Sequence, residues 1–149
     1  MKEKMNPCEA YLYIQMELCN RSLRNWIDEN ATTSSRALPQ IKSWFKQIVA
    51  AVAFIHEKNL IHRDLKPCNI LFLDENNETI KVCDMGIATA RYKGDGTEAY
   101  RTSIGTLRYM SPEQRSVAAL YSSKTDIFSL GLILAEMCIV MASNERDKV

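Results

Sequence analysis

The chain has 149 residues, of which 46% are hydrophobic and 25% are charged, a balance typical of one globular domain or a large part of one. Its 19 basic and 18 acidic residues leave a net charge of +1, which argues against a general electrostatic attraction to nucleic acid or to anionic membranes. The five cysteines show no paired CxxC spacing, so we expect neither a disulfide framework nor a zinc site. A reduced, cytoplasmic setting is therefore expected.

The first predicted elements are a strand and a short helix. Aromatic and aliphatic residues alternate with smaller or polar ones over residues 11–16, a pattern that predicts a strand. Apolar residues fall on one side of residues 22–30, which favours a short helix, and residues 29–37 are polar and loop-like.

A longer helix follows over residues 39–58. Pro39 suits its first turn. Apolar residues recur there at intervals of three and four, which predicts one stripe packed against a core: Ile41, Trp44, Phe45, Ile48, Val52 and Ile55. Three brief apolar runs separated by polar turns then predict short strands, at residues 60–61, 70–73 and 80–82.

The last third of the chain combines a polar loop with helices. Residues 91–103 contain two glycines, several hydroxyls and mixed charge, which predicts an exposed mobile segment. Helix is expected near Pro112 and again from Asp126. The most hydrophobic stretch, residues 127–143, is interrupted by Glu136 and is shorter than the ~20 apolar residues that span a bilayer, so we expect a buried helix.

Two motifs lie among the predicted short strands. Residues 62–69 read His-Arg-Asp-Leu-Lys-Pro-Cys-Asn, and residues 84–86 read Asp-Met-Gly. A single Asp, Asn or Lys in a loop is more often a turn or cap residue, but the ordered set is very specific. It resembles the HRDxxxxN and DFG motifs of the eukaryotic protein kinase family, and the resemblance covers nearly the whole chain in order.

The resemblance implies a role for each motif residue. Asp64 would accept the proton of the substrate hydroxyl, and Lys66 would contact the transferred phosphate. Asn69 and Asp84 would bind Mg²⁺, with ATP as the phosphate donor. A lysine at this position followed by proline is similar to the serine/threonine branch of the family. His62 is expected to be structural, beneath the loop.

Further residues extend the resemblance toward the large lobe of a kinase. Met85 takes the place of the phenylalanine in the metal motif, before Gly86, and Ser111-Pro112-Glu113 resembles the APE motif. The arginine that usually pairs with Glu113 is not expected among these residues. Asp126 would brace the backbone of the catalytic loop, although a plain helix cap is equally consistent with the sequence.

The resemblance also implies regulatory residues. Thr106 matches the threonine that contacts the catalytic aspartate and lysine, and it is itself a candidate for phosphorylation. Arg63 marks the subclass in which a phosphate on the activation segment pairs with this arginine. Candidate phosphate acceptors are Thr97, Thr102 and Ser103, for which the role of an ordinary solvated loop hydroxyl is equally consistent.

Residues 11–19, 105–114 and 126–136 resemble one subfamily, the stress-responsive kinases of the translation initiation factor 2 alpha subunit, including the endoplasmic-reticulum-stress type. The resemblance implies that Met16 lies behind the adenine and that the backbone of Glu17 and Cys19 binds the adenine edge. It implies the alpha subunit as protein substrate, and a cytosolic location either alone or within a longer membrane-anchored kinase. That subfamily pairs through the small lobe, which leaves a homodimer open.

The expected fold is therefore α+β and protein-kinase-like. Residues 1–19 are predicted to form the last strand of the small lobe and the hinge, and residues 20–149 an incomplete, mostly helical large lobe with the catalytic loop and activation segment. The small lobe is expected to be largely absent, with no glycine-rich loop or ATP-binding lysine.

Two hypotheses follow. The chain is part of an ATP- and Mg²⁺-dependent serine/threonine kinase, or it is a truncated inactive fragment that acts at most as a binding or regulatory module. We expect the isolated 149 residues to transfer no phosphate and to aggregate.

Overall fold

A computed structural model describes residues 13–31, 36–85, 88–90, 106–115 and 122–139. Helices dominate these residues, and short strands connect them in the α+β arrangement that the sequence predicts. The helices are α1 (Leu23–Glu29), α2 (Leu38–Glu57) and α3 (Lys124–Cys138). The strands are β1 (Arg21–Ser22), β2 (Leu60–Ile61), β3 (Ile70–Phe72), β4 (Ile80–Val82) and β5 (Thr89–Ala90). Single 3-10 turns lie at Pro67–Asn69, Leu107–Tyr109 and Pro112–Arg115.

Helix α1 begins at a reciprocal cap. The backbone N–H of Asn25 donates to Ser22 Oγ over 3.2 Å, and the backbone N–H of Ser22 donates to Asn25 Oδ1 over 3.0 Å. This capping box satisfies two donors that the first turn of a helix leaves without intrahelical partners. The helix expected over residues 22–30 is confirmed, with Ser22 as its cap.

Helix α2 supplies the largest part of the core. Its buried residues lie on one face, as the spacing predicts, and Pro39 lies in the first turn. Trp44 from this face meets Trp26 of α1 edge-on, with ring centroids 5.0 Å apart, and Phe72 of β3 at 4.9 Å. The predicted helix is confirmed to within one residue at each end.

Two small antiparallel sheets surround the catalytic loop. In one sheet β3 lies between β1 and β4, with Ile70 opposite Val82, and in the other β2 pairs with β5. The turn between β3 and β4 closes on Asp74, whose carboxylate accepts the backbone N–H groups of Glu78 at 2.9 Å and Thr79 at 3.1 Å. The three predicted strands are confirmed, although β3 ends one residue early.

The strand predicted over residues 11–16 is wrong for its described part. Residues 13–16 form no strand, and residues 11 and 12 lie outside the described residues. Tyr13, Ile14 and Met16 are 88%, 71% and 76% exposed, and among the described residues no strand pairs with them. A strand needs a neighbour to satisfy its N–H and C=O groups, so alternation alone does not produce one here.

Helix α3 buries one face only, which corrects the expectation of a buried helix over residues 127–143. Ile127 is 57% exposed, and Phe128 is exposed as well. The buried face carries polar as well as apolar residues: Thr125, Asp126, Ser129, Leu130, Ile133, Glu136 and Met137. Residues 140–143 lie outside the described residues. In the described part of the chain, no helix has the length and apolarity required to cross a membrane.

Candidate active site

The carboxylate of Asp64 lies at the centre of the site, on the loop between β2 and β3. Its Oδ1 accepts the backbone N–H of Thr106 at 2.9 Å and the Thr106 hydroxyl at 2.8 Å. Its Oδ2 accepts Lys66 Nζ at 2.6 Å and Asn69 Nδ2 at 3.2 Å. A carboxylate offers about four lone-pair sites, so these donors occupy its full capacity.

The donors also set the charge of Asp64. Burial raises the pKa of Asp64, but hydrogen bonds from Lys66 and Thr106 and the positive charge of Lys66 outweigh it, so the pKa lies below its ordinary value. Asp64 is therefore ionised at neutral pH and is a weak base. Such a carboxylate orients a hydroxyl by accepting its hydrogen bond and takes the proton late in a transfer.

The buried ring of His62 joins the catalytic loop to the chain before Asp84. Its Nε2 lies 2.9 Å from the carbonyl oxygen of Cys83, which can only accept, so Nε2 carries the proton. The other ring nitrogen, Nδ1, accepts the backbone N–H of Asp64 at 3.3 Å. His62 thus has the structural position beneath the loop, away from the reacting groups.

The buried carboxylate of Asp126 holds the loop backbone from α3. Its Oδ1 accepts the N–H of Arg63 and its Oδ2 accepts the N–H of His62, both at 2.9 Å. Since Ser123 is the residue that precedes α3, the Asp126 side chain bonds the loop and not its own helix end. Arg63 has a φ of 70°, a left-handed conformation that costs free energy and that these bonds help to hold.

Two residues that sequence reasoning missed complete this bracing. His56 of α2 contacts Asp126 Oδ2 through Nε2 at 2.7 Å, and Gln114 donates from Nε2 to the carbonyl of Arg63 at 2.9 Å. Gln114 also accepts the backbone N–H of Ser111 at 2.9 Å. His56 belongs to no motif, and Gln114 ends the segment 105–114 without a role assigned to it, so no local pattern predicts either contact.

Asn69 and Asp84 have the chemistry of a magnesium site. The amide nitrogen of Asn69 donates to the Asp64 carbonyl at 2.9 Å as well as to its carboxylate, so only Asn69 Oδ1 can serve as a ligand. Asp84 is exposed and has a φ of 65°. Among the described residues no group of three or more His, Cys, Asp or Glu could hold a metal. Two oxygen donors fit Mg²⁺, which is commonly bound through one or two protein ligands, waters and substrate phosphates.

A pocket of about 740 Å³ has Asp84 in its wall. It brings the expected adenine-binding residues together with the metal motif: Met16, Glu17 and Cys19 line it, as do Asp84 and Met85. Its remaining walls come from Ile14, Leu71, Lys81, Val82 and Cys83. The volume is within the range of small-molecule sites, and the mostly apolar lining suits a flat heteroaromatic ring.

Comparison with known proteins agrees with this geometry. Residues 2–147 match the family described as protein kinase domain. The chain belongs to the protein kinase family. The family and the α+β kinase fold expected from the two motifs are thereby confirmed.

The chain is similar to several curated kinases. It is 40% identical to a Caenorhabditis elegans protein named eukaryotic translation initiation factor 2-alpha kinase pek-1, over 87% of this chain and 13% of that protein. It is 47% identical to the interferon-induced, double-stranded RNA-activated protein kinase of Rattus norvegicus, over 93% of this chain and 26% of that protein. It is 37% identical to the eIF-2-alpha kinase GCN2 of Schizosaccharomyces pombe, over 100% of this chain and 10% of that protein. The chain therefore spans between a tenth and about a quarter of these relatives.

Two further predicted residues of the site are described by the structure, and four are not. Glu113 accepts the Thr125 hydroxyl at 3.1 Å, which joins the 3-10 turn at Pro112–Arg115 to α3. Met85 is exposed at the pocket. Four predicted residues lie outside the described part of the kinase, namely Gly86, Thr97, Thr102 and Ser103.

Sequence reasoning missed an ion cluster around the buried carboxylate of Glu136. Glu136 of α3 binds Arg24 of α1 at 2.6 Å and Arg108 at 2.9 Å, and it accepts the Tyr109 hydroxyl at 2.9 Å. Burial raises the pKa of Tyr109, and the negative charge of Glu136 raises it further, so the phenol stays a hydrogen-bond donor. The cluster joins α1 and α3 to the segment that carries Thr106.

Proposed function

We propose that this chain is the catalytic-loop part of a serine/threonine kinase that transfers the terminal phosphate of ATP to the alpha subunit of translation initiation factor 2. The observation that carries the proposal is the set of donors around Asp64. Lys66 Nζ lies 2.6 Å from Asp64 Oδ2 and 2.9 Å from Thr106 Oγ1, so one cation stands beside the carboxylate that would orient the acceptor hydroxyl.

Each residue of the site has its own role in phosphoryl transfer. Asp64 orients the acceptor oxygen and receives its proton, and Lys66 turns from Asp64 toward the phosphate as it acquires charge. Asn69 and Asp84 are the residues that would hold Mg²⁺, which when bound neutralises the phosphate oxygens. Asp64 already accepts hydrogen bonds from four donors, so one of them must leave when the substrate hydroxyl binds. We expect Lys66 to be that donor, because it also contacts the transferred phosphate.

The substrate is inferred from the relatives. The Caenorhabditis elegans and Schizosaccharomyces pombe proteins are named as kinases of initiation factor 2-alpha, and the chain is 40% and 37% identical to them. Lys66 followed by Pro67 supports a serine or threonine acceptor on that subunit.

A second proposal concerns the isolated chain, which we expect to be inactive by itself. Tyr13, Ile14, Met16 and Leu18 are exposed beside the pocket, with Leu18 at 91% exposure. A row of exposed large apolar residues favours aggregation. It also leaves the pocket open on that side, so we expect that ATP is not held tightly without a further cover.

A chimera tests both proposals. Residues 13–139 of this chain replace the matching segment of the Caenorhabditis elegans kinase, which supplies the rest of its own domain. We expect the chimera to transfer radiolabelled phosphate from ATP to purified initiation factor 2 alpha subunit, and the matched Asp64→Asn chimera to lose at least about a hundredfold in rate. The isolated chain, assayed in parallel, is expected to transfer none.

The outcomes separate the two proposals. A folded chimera that leaves the alpha subunit unlabelled, while the intact relative labels it, contradicts the kinase proposal. Labelling of a generic serine/threonine substrate but not of the alpha subunit contradicts the substrate alone. Asp64-dependent transfer by the isolated chain contradicts the expectation that it is inactive.

A further inference from the structure

The peptide group that joins Arg63 to Asp64 is bonded at both of its polar atoms. Its carbonyl oxygen accepts Gln114 Nε2 at 2.9 Å, and its N–H donates to His62 Nδ1 at 3.3 Å. Because the group is planar and carries the Cα atom of Asp64, its rotation would swing the Asp64 side chain. We propose that Gln114 is a positioning residue, which holds Asp64 in its orientation toward the acceptor hydroxyl. The inference rests on the proposed kinase function.

Gln114 reaches the catalytic loop from the segment 106–115, which also carries Thr106. Thr106 binds the Asp64 carboxylate through its backbone N–H and its hydroxyl, and Gln114 binds the peptide group behind that carboxylate. The segment therefore holds Asp64 at two separate points. Both its distance from the segment and its orientation are fixed in this way.

The amide of Gln114 is itself held in place. Gln114 is 1% exposed, and its Oε1 accepts the backbone N–H of Ser111 at 2.9 Å. That bond identifies the other end of the amide, Nε2, as the donor directed at the Arg63 carbonyl. A buried side chain with both ends of its amide bonded has little rotational freedom, as a positioning residue requires.

A role confined to the turn at Pro112–Arg115 does not account for these bonds. Within that turn the backbone N–H of Gln114 already donates to the carbonyl of Ser111 at 3.0 Å. The side-chain donor is used 51 residues away, on the residue before Asp64. Arg63 has a left-handed φ of 70°, which costs free energy, so the bond to its carbonyl opposes relaxation of the loop.

Kinetics of the chimeric kinase test the proposal. Gln114→Met keeps the length of the side chain but removes both of its hydrogen bonds. We expect kcat to fall about thirtyfold, because Asp64 is misaligned. The KM for ATP should stay within about twofold of the wild-type value, since Gln114 does not line the pocket. Gln114→Glu keeps the acceptor for Ser111 but loses the donor to Arg63 above neutral pH, so its kcat should fall similarly.

Arg115→Ala is the matched control from the same turn. Arg115 is exposed, and its guanidinium donates to the carbonyl of Leu107 at 3.2 Å, within its own segment. We expect the kcat of this variant to stay within about twofold of the wild-type value.

Hydrogen exchange gives a readout that needs no catalysis. Release of the Arg63 carbonyl lets the peptide group rotate and weakens the bond from the Asp64 N–H to His62. We therefore expect the catalytic loop to exchange about tenfold faster in Gln114→Met than in Arg115→Ala. Mass spectrometry of peptides that contain residues 62–66 of the chimeric kinase measures these rates.

The outcomes are distinct. A wild-type kcat in Gln114→Glu overturns the proposal, as does equal loop exchange in Gln114→Met and Arg115→Ala. A KM for ATP that rises as much as kcat falls also overturns it, because the whole site is then disturbed. If Gln114→Met fails to fold, Gln114→Glu, which keeps the bond from Ser111, decides by both measurements. A wild-type chimera that transfers no phosphate contradicts the proposed function, while hydrogen exchange still decides whether Gln114 fixes Asp64.

Discussion

Asp64 shows how one residue gains its chemistry from its neighbours. An isolated aspartate in a loop has no special property, yet Thr106 and Lys66 together donate three hydrogen bonds to this one and lower its pKa. A carboxylate whose pKa is lowered in the folded state stabilises that state above its ordinary pKa, and the stabilisation is lost as the pH falls through the folded value. Protonation of Asp64 at low pH should therefore lower both the activity and the stability of the folded state.

Replacement of Thr106 tests this link. Thr106→Val keeps the branched shape and the backbone N–H but removes the hydroxyl donor to Asp64 Oδ1. We expect the pKa of Asp64 to rise toward its ordinary value, so that the acid limb of kcat/KM moves to higher pH. The chimeric kinase should also lose about tenfold in kcat, the equivalent of one hydrogen bond.

Thr106→Ser is the matched control, because it keeps the hydroxyl and removes only a methyl group. It should keep the wild-type acid limb. If both variants show the same pH profile, the Thr106 hydroxyl does not set the ionisation of Asp64.

At the scale of elements, periodicity predicts local structure well and contacts poorly. Helices α1 and α2 follow from capping chemistry and an apolar stripe, since both are properties of adjacent residues. Alternation over residues 11–16 fails as a strand prediction for the described residues 13–16, because a strand depends on a neighbour that local sequence does not specify. The motif residues of the site are recognisable from sequence, but His56 and Gln114 are not, because their partners lie 70 and 51 residues away.

Arg36 binds the C-terminal ends of two helices, and no sequence pattern predicts this role. Its guanidinium lies 5.3 Å from the ring of Trp26 and donates to the last carbonyls of two helices. At α3 it bonds the carbonyls of Glu136, Met137 and Ile139, and at α1 it bonds those of Ile27 and Asn30. The C-terminal carbonyls of a helix have no intrahelical donors and attract positive charge. The Arg36 side chain therefore caps both helices.

Loss of Arg36 should therefore destabilise the chain. We expect Arg36→Ala to lower the free energy of unfolding by about 2 kcal/mol, and Arg36→Lys by about half of that, since one ammonium cannot reach both helix ends. Urea denaturation of the chimeric kinase and its variants, followed by tryptophan fluorescence, measures the change. Lys42→Ala, which removes a positive charge from the exposed side of α2, is the control and should have little effect. Equal midpoints for Arg36→Ala and Lys42→Ala would rule out the double cap.

Across the whole molecule, α3 connects the parts of the site. Near its start Asp126 holds the catalytic loop, and near its end Glu136 holds Arg24 and Arg108. In the sequence Glu136 interrupts an apolar stretch, whereas in the fold its side chain is buried and pairs with Arg24 and Arg108. Their sequence separations of 112 and 28 residues explain why no local pattern reveals them.

Glu136→Gln tests how much this cluster contributes. The substitution keeps the size and one acceptor but removes the charge that Glu136 offers to two partly buried arginines, of which Arg24 keeps Asp28 as a partner at 3.4 Å. We expect the free energy of unfolding to fall by about 2 kcal/mol, less than for a fully buried ion pair, because both arginines keep contact with water. Tyr109→Phe, which removes the hydroxyl that donates to Glu136 and accepts from Arg24 at 2.6 Å, should lower it by about 1 kcal/mol. Urea denaturation of the two variants of the chimeric kinase measures both values.

A double-mutant cycle then separates charge from packing. If Arg24 is destabilising once its partner is neutral, Arg24→Met should destabilise the chain less in the Glu136→Gln background than in the wild type. Strict additivity of the two changes would mean that Arg24 and Glu136 do not depend on each other. Because Arg108 and Tyr109 follow Thr106 closely, a coupled cluster should also affect the site. In the chimeric kinase, Glu136→Gln should then raise the KM for the protein substrate more than the KM for ATP, because no residue of the cluster lines the pocket.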